Sequence, residues 1–187
     1  MEITDIKYLH LTEWLVLKQA LCKNKDGQKF NWDYISRTND QNVVILICHS
    51  VESEKILLLR EFRARMNKWV IEFPKGLINE NETVEVAALR ELKEETGYNG
   101  KVISISPFLA TCAYLMNEMS SVVEIEVDES KLGDTDCEEA EEIIPFWIDK
   151  KDFNKEIVKF QNNNYVIESN VWFYLKSLDV VSEKTIY

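Results

Sequence analysis

The sequence predicts an α/β fold, a mixed β-sheet packed between helices and preceded by an N-terminal β-hairpin extension. Three observations carry this. Short β-branched or leucine-rich runs outnumber helical stretches, the two kinds are interspersed, and no internal repeat, low-complexity tract or long linker divides the 187 residues. The stretch "EWLVLKQALCKNKDGQKFNWDYISRT" supplies the hairpin, two strand-like runs around Asp26-Gly27, a pair suited to positive φ. "NVVILIC" and "KILLLREF", separated by a polar turn at Ser50 to Glu54, read as buried strands. "KWVIEFP" is a further strand, ended by Pro74 and followed by a loop at Gly76. "KVISI", "SSVVEIEV" and "EIIPFWI" continue the series, with Pro145 placing the last at an edge or a bulge. Helical patterns cover Glu82 to Thr96, "KKDFNKEIVKF" and "IESNVWFYLKSL", where Ile167, Val171, Tyr174, Leu175 and Leu178 recur at helical spacing.

Composition narrows the chemistry. A hydrophobic content of 45% suffices for one core without disulfide staples. Cys22, Cys48, Cys112 and Cys137 have no paired spacing, so they read as free thiols in a reducing, cytoplasmic setting rather than as a zinc or redox motif. The start of the chain lacks a basic segment followed by an apolar run, and no stretch approaches membrane-spanning length. A formal net charge of −11 repels nucleic acid and anionic lipid. An enzyme acting on phosphate esters must therefore supply local cations. Only His10 and His49 are present, which leaves little room for histidine triads or multi-histidine metal sites. Carboxylates are the abundant reactive groups.

They concentrate in "GLINENETVEVAALRELKEETGY", Gly76 to Tyr98. Asn79 or Asn81 can cap the helix start, and Gly97 can take the left-handed conformation that ends it. At about 100° per residue, Glu91, Glu94 and Glu95 project from one arc together with Val84, Ala87 and Ala88. Val86, Leu89 and Leu92 form the opposite face. Like charges at this spacing destabilise a bare helix. Arg90 pairing with Glu94 relieves the repulsion by only about 0.3–0.5 kcal/mol. A hard divalent cation held by oxygen ligands relieves it far better.

The order of residues decides between these. Gly76, five residues, Glu82, seven residues, "REL", one residue, "EE", one residue, Gly97 and Tyr98 resembles the Nudix box, the signature of Nudix hydrolases, with Tyr98 a mild departure at the final hydrophobic place. The resemblance implies an α/β/α sandwich in which loop and helix hold Mg2+, or Mn2+, on a nucleoside diphosphate linked to another moiety. It implies Glu91 and Glu95 as principal metal ligands, Glu94 as an additional one within the catalytic set, and the Lys75 carbonyl completing the coordination sphere. Glu82 and Arg90 orient the glutamates.

Flanking residues narrow the substrate. "WDYISRT" followed by "REFR" and "EFPKG" resembles the ADP-ribose pyrophosphatases, which carry an N-terminal β extension. This divides the chain into an extension, residues 1–40, for dimerisation and adenine binding, and a hydrolase domain, residues 41–187. By the resemblance, Trp14 and Trp32, on the two arms of the hairpin, sandwich adenine with one face supplied by a partner subunit of a homodimer. By residue type alone they could equally be cross-strand core residues. Arg37 and Arg63, with Glu72, are implied to contact the substrate, and a guanidinium can grip phosphate through two bonds. Trp69 and Trp172 sit in apolar runs and read as core. In the acidic stretch "DTDCEEAEEII", Glu139 or Glu141 stands nearest the position of a water-activating glutamate.

Three departures loosen the assignment. "TCAYLMNEM" lacks a proline common in that subgroup, and its Tyr114 is similar to a tyrosine of diadenosine polyphosphate hydrolases. Lys75 stands where alanine is common, as in enzymes acting on ADP compounds more broadly, and Glu61 replaces a frequent glutamine. The expected activity is hydrolysis of ADP-ribose to AMP and ribose 5-phosphate. Hydrolysis of dinucleoside polyphosphates or NADH-type compounds is the alternative, and nucleotide sensing without turnover is an alternative of another class.

Overall fold

The computed structural model describes residues 1–137 and 142–183. Among the described residues there are two sheets. The strands β1 (Glu2–Leu11), β2 (Leu15–Lys23) and β3 (Lys29–Arg37) form a three-stranded antiparallel sheet. The expected hairpin is thus β2 and β3, turning at Gly27 with φ of 82°, and β1 is an additional strand. Its period-two pattern is broken by register shifts between Ile3 and Asp5 and between Tyr8 and His10. Those shifts hide the strand from an alternation test.

The larger sheet contains β4 (Val43–Ser50), β5 (Lys55–Arg63), β6 (Lys68–Glu72), β7 (Lys75–Leu77), β8 (Gly100–Ile105), β9 (Leu109–Ala110), β10 (Met119–Val127), β11 (Ile143–Asp149) and β12 (Val166–Ile167). It is mixed: β10 lies parallel to β4 over eight residue pairs from Ser120 to Val127, while β5 and β7 lie antiparallel to β4. The Gly76 segment, expected to be loop, is the strand β7. Among the described residues β11 pairs only with β5, the edge position that tolerates Pro145.

Among the described residues there are three α-helices, α1 (Val84–Thr96), α2 (Phe153–Asn162) and α3 (Ser169–Glu183). Their placement follows from alternation along β4. Val43, Ile45 and Ile47 face a core shared with Phe153 and Ile157 of α2 and Val171 and Leu175 of α3. Val44, Leu46 and Cys48 face a second core shared with Ala87, Ala88 and Leu92 of α1. Side chains of a strand alternate between faces, so a strand apolar on both needs a helical layer on each. The result is an α/β/α sandwich.

Two expectations about aromatic and helical faces need correction. Trp172 is 41% exposed, because it sits on the solvent side of α3 beside the buried Val171. Val86 is 53% exposed, whereas Ala88, Leu92 and Glu95 share the buried face of α1. Among the described residues, no helix is long and apolar enough to cross a membrane.

Candidate active site

The site grows from the ends of α1. Thr83 caps its start, its hydroxyl accepting from the Val86 amide at 3.2 Å. The asparagines expected to cap build the preceding turn instead. The Glu82 amide donates to the Asn79 carbonyl at 3.1 Å, the Asn79 amide donates to the Glu82 carboxylate at 2.9 Å, and Asn81 takes a φ of 67°. At the far end Gly97, with φ of 75°, closes the helix by donating to the Lys93 carbonyl.

Arg90 ties these pieces together. Its Nε and Nη2 grip the two Glu82 oxygens at 2.8 and 3.0 Å, Nη1 donates to Glu91 at 2.7 Å and to Glu94 at 2.8 Å, and Nη2 donates to the Leu77 carbonyl at 2.8 Å. One planar cation thereby fixes strand, turn and helix relative to each other. Bonding to Arg90 holds the Glu82 carboxyl down at about 2, and the same bonds push the Arg90 guanidinium further above its already high value.

Glu91 and Glu95 reach the Lys75–Gly76 backbone. Glu95 is 5% exposed, and its Oε2 accepts from the Lys75 amide at 3.0 Å. The Glu91 carboxylate lies so close to Gly76 that a Cβ there would stand 1.9 Å from its Cδ. Any Cβ at position 76 would force the Glu91 carboxylate to move. Glu91, Glu94, Glu95 and the adjoining backbone form a set of hard oxygen donors one helical turn deep, which fits a divalent cation of the Mg2+ or Mn2+ type. Among the described residues, no three acidic, thiol or imidazole side chains are already drawn around one metal-sized point; Arg90 stands between Glu91 and Glu94.

A second ionic chain adjoins the first. Glu72, 1% exposed, meets Arg63 at 2.7 Å and Lys75 at 2.7 Å; Arg63 also meets Glu61 at 2.6 Å, and Lys75 reaches Glu168 at 2.6 Å. Burial pushes the Glu72 carboxyl up, but Lys75, a shared hydrogen bond with Glu61, and Arg63 together bring it below its ordinary value. Burial likewise weakens the Arg63 cation, and the charges of Glu72 and Glu61 more than offset it. Glu61 and Glu168 are partners that sequence reasoning did not place. Glu61 stands in the quoted "REFR" as a departure, while Glu168 lies 93 residues from Lys75 and only the fold unites them.

The remaining residues lie at the N-terminal sheet. Trp14 occupies the turn between β1 and β2 rather than an arm, and is 67% exposed; Trp32 on β3 is 58% exposed. Neither is a core residue. Trp32 shares a face with its cross-strand partner Ala20. That face lines a cleft of about 580 Å³ with Tyr34, Tyr114, Met116 and Met119. Glu118 also lines it, and Arg37 at the end of β3 meets Glu118 through Nε at 2.6 Å. Glu139 and Glu141 lie outside the described residues.

Comparison with known proteins places the chain in a family. Residues 39–168 match the NUDIX domain. The chain is 32% identical over 183 residues to an ADP-ribose pyrophosphatase of Saccharomyces cerevisiae, covering 91% of this chain and 79% of the relative. It is 28% identical over 138 residues to an ADP-sugar pyrophosphatase of Mus musculus, covering 70% of this chain and 63% of the relative, so it spans less than two thirds of that protein's length. A crystal structure of an ADP compounds hydrolase superposes with a TM-score of 0.69 at 18% identity, over 82% of each chain, a likeness of fold. With most of its length inside the matched domain and the glutamate helix at its centre, the chain belongs to the NUDIX domain family of hydrolases.

Proposed function

We propose that this chain hydrolyses ADP-ribose to AMP and ribose 5-phosphate, using Mg2+ or Mn2+ held by Glu91, Glu95 and Glu94 with the Lys75 carbonyl. The observation that carries the reading is the approach of Glu91 and Glu95 to the adjacent residues Gly76 and Lys75. The Lewis acidity such a cation supplies falls on the diphosphate oxygens and on the attacking water. The chain's own groups do the rest. Arg90 and Glu82 hold the ligand glutamates against mutual repulsion. Glu139 or Glu141 takes the proton of the water attacking phosphorus, the P–O bond to the leaving phosphate breaks, and the products carry the two phosphates separately. Trp14 and Trp32 stack the adenine, and Arg37, Arg63 and Glu72 align the rest of the substrate.

The extension of residues 1–40 acts as a dimerisation and adenine-binding unit, and the protein works as a homodimer. Every residue of β1 is exposed, and Ile3, Ile6, Tyr8, Leu9 and Leu11 present an apolar surface along it. A second copy would cover that surface and bring a further indole to the adenine.

The substrates of the named relatives support ADP-ribose over a dinucleotide. Lys75 agrees with this choice, since its ammonium is engaged by Glu72 and Glu168 and offers little to a longer polyphosphate. Tyr114, 90% exposed in the Trp32 cleft, is the observation that favours a dinucleoside compound as second reading, because it provides a ring for a second base. AMP release from ADP-ribose, NADH, diadenosine polyphosphates and ADP-sugars, with and without Mg2+, tests both. Preferential Mg2+-dependent cleavage of ADP-ribose is expected; preference for dinucleotides overturns the substrate, and binding without turnover of any compound at substoichiometric enzyme turns the reading to a sensor.

A further inference from the structure

Lys18 is a lysine with almost no access to water. It lies on β2 at 6% exposure, on the face that carries Val16 and Ala20, and its cross-strand partner on β3 is Tyr34. Ala20, Trp32 and Tyr34 form the sheet-side wall of the cleft, and Tyr114, Met116 and Asn117, from the segment between β9 and β10, form the other. The walls are joined first through backbone. The Ile35 amide donates to the Leu115 carbonyl at 2.8 Å, and the Asn117 amide donates to the Ile35 carbonyl at 3.4 Å. They are joined again through Asp40, in the connection of residues 38–42 that leads from β3 to β4. Its Oδ1 accepts from Lys18 Nζ at 3.1 Å and from Asn117 Nδ2 at 3.4 Å. One oxygen is thus bonded from the N-terminal sheet and from the segment that faces it.

Stability does not explain a lysine here. A buried charge in an ion pair gains little over an apolar side chain of similar volume, because it loses its water, and the Asp40 side chain stays 59% exposed. Direction does explain it. A lysine buried on one sheet must find its counterion along a fixed line, and Asp40 waits there with φ of 49°, a left-handed conformation that Asp and Asn adopt more readily than most residues. Bonds at Ile35 alone would leave a single row about which the N-terminal sheet could pivot. The Asp40 bonds add a second attachment and oppose that motion. We propose that Lys18, Asp40 and Asn117 form a positioning clasp: they fix the spacing between Trp32 and the segment opposite, and so set how tightly the cleft holds a flat aromatic base. This rests on the reading that Trp32 stacks the adenine. The clasp acts on binding, so the chemical step should not feel its loss.

The test uses Lys18→Met, which keeps the buried stem and removes the charge, and measures kcat and KM for ADP-ribose, its Kd in EDTA by titration calorimetry, and melting temperature. KM and Kd are expected to rise about 3- to 10-fold, below the roughly 5- to 150-fold of a whole stacking contact. The kcat should stay within about twofold, and melting should fall little or even rise. Asp40→Asn, which keeps the left-handed backbone, should give the same split between KM and kcat and covers a failure of Lys18→Met to fold. Combined with Trp32→Ala, Lys18→Met should change KM by less than about twofold, because residues that act through one another are not additive. Unchanged KM and Kd in both single variants overturns the proposal, as does full additivity with Trp32→Ala, which would place the effect of Lys18 elsewhere. Trp32→Ala alone separates the two ideas. If it raises KM while the clasp variants do not, stacking stands and the clasp falls; if it leaves KM unchanged, the stacking reading has failed and takes the clasp with it.

Discussion

Glu95 and Trp32 belong to the same expected reaction, yet one is 5% exposed and the other 58%. Beside Glu95, Arg90 is held by a strand, a turn and a helix at once, bonded to four groups. Around Trp32 the sheet is open, β1 is exposed throughout, and β3 is tied to the segment between β9 and β10 by contacts that include the Ile35 amide donating to the Leu115 carbonyl at 2.8 Å. The contrast teaches where a single chain can finish a site. Charge chemistry needs low dielectric and fixed geometry, which the sandwich provides internally. Base recognition, as proposed for Trp32, needs only a flat ring and a boundary.

The sharpest way to break this comparison is Glu95→Gln. Turnover should fall by orders of magnitude, about 10²–10³, with the circular-dichroism spectrum and melting unchanged. A modest loss of rate would mean that the enclosed cluster is structural. Gly76→Ala probes the same enclosure without altering any charge. Its Cβ has no room beside Glu91, but a side-chain end can swing away, so the fold should hold while Mn2+ affinity drops by roughly 10- to 100-fold, the range seen when a ligand loses its orientation. Unaltered Mn2+ binding in calorimetry would remove Glu91 from the ligand set.

Trp32→Ala addresses the open region. A base-stacking contribution of roughly 1–3 kcal/mol predicts a KM raised about 5- to 150-fold with kcat nearly constant, since the loss is in binding. Being exposed, the ring contributes little to folding, and the melting temperature should barely move. A variant that melts early yet binds substrate normally would reverse the contrast.

The two regions were also unequally legible in sequence. The glutamate helix was readable because its chemistry is local: Gly76, Glu82, Arg90, Glu91, Glu94 and Glu95 act through fixed spacings along one turn and one helix, and spacing is what a sequence displays. Thr83 was missed as the cap because three candidate caps, Asn79, Asn81 and Thr83, precede the helix and only the turn geometry, with Asn81 at positive φ, chooses among them. The β4 alternation was recognisable as a buried strand, but which residues meet which helix depends on crossovers that no local pattern records. β1 was missed because its bulges break the period that betrays a strand. The Lys75 pairing with Glu168 joins segments 93 residues apart, and a lysine with an open role in the sequence proves to have carboxylates on both sides.

The smallest effect separates the regions by salt and acid. Glu82 is held at about 2, first by its hydrogen bonds to Arg90, and Asp40, beside the N-terminal sheet, is lowered first by its bond to Lys18. Both shifts are depressions, so both carboxylates favour the folded state above their ordinary values, 4.5 for Glu82 and 3.8 for Asp40, and lose that contribution as pH falls through their folded values. At neutral pH, Glu82→Gln should therefore lower the melting temperature by a few degrees. The difference from the parent should shrink from pH 5 toward pH 3, as unfolded Glu82 takes up a proton and the parent loses its advantage. Asp40 has a side chain 59% exposed, so solvent screens its pair, and Asp40→Asn should shift melting by less, with the shift gone at 1 M salt. The Glu82 difference should persist there, because Arg90 grips it through two directed bonds inside a network rather than through a field in water. If high salt erased both differences alike, the Glu82–Arg90 pair would be screened by solvent as Asp40 is, and the glutamate helix would have to owe its shape to packing alone.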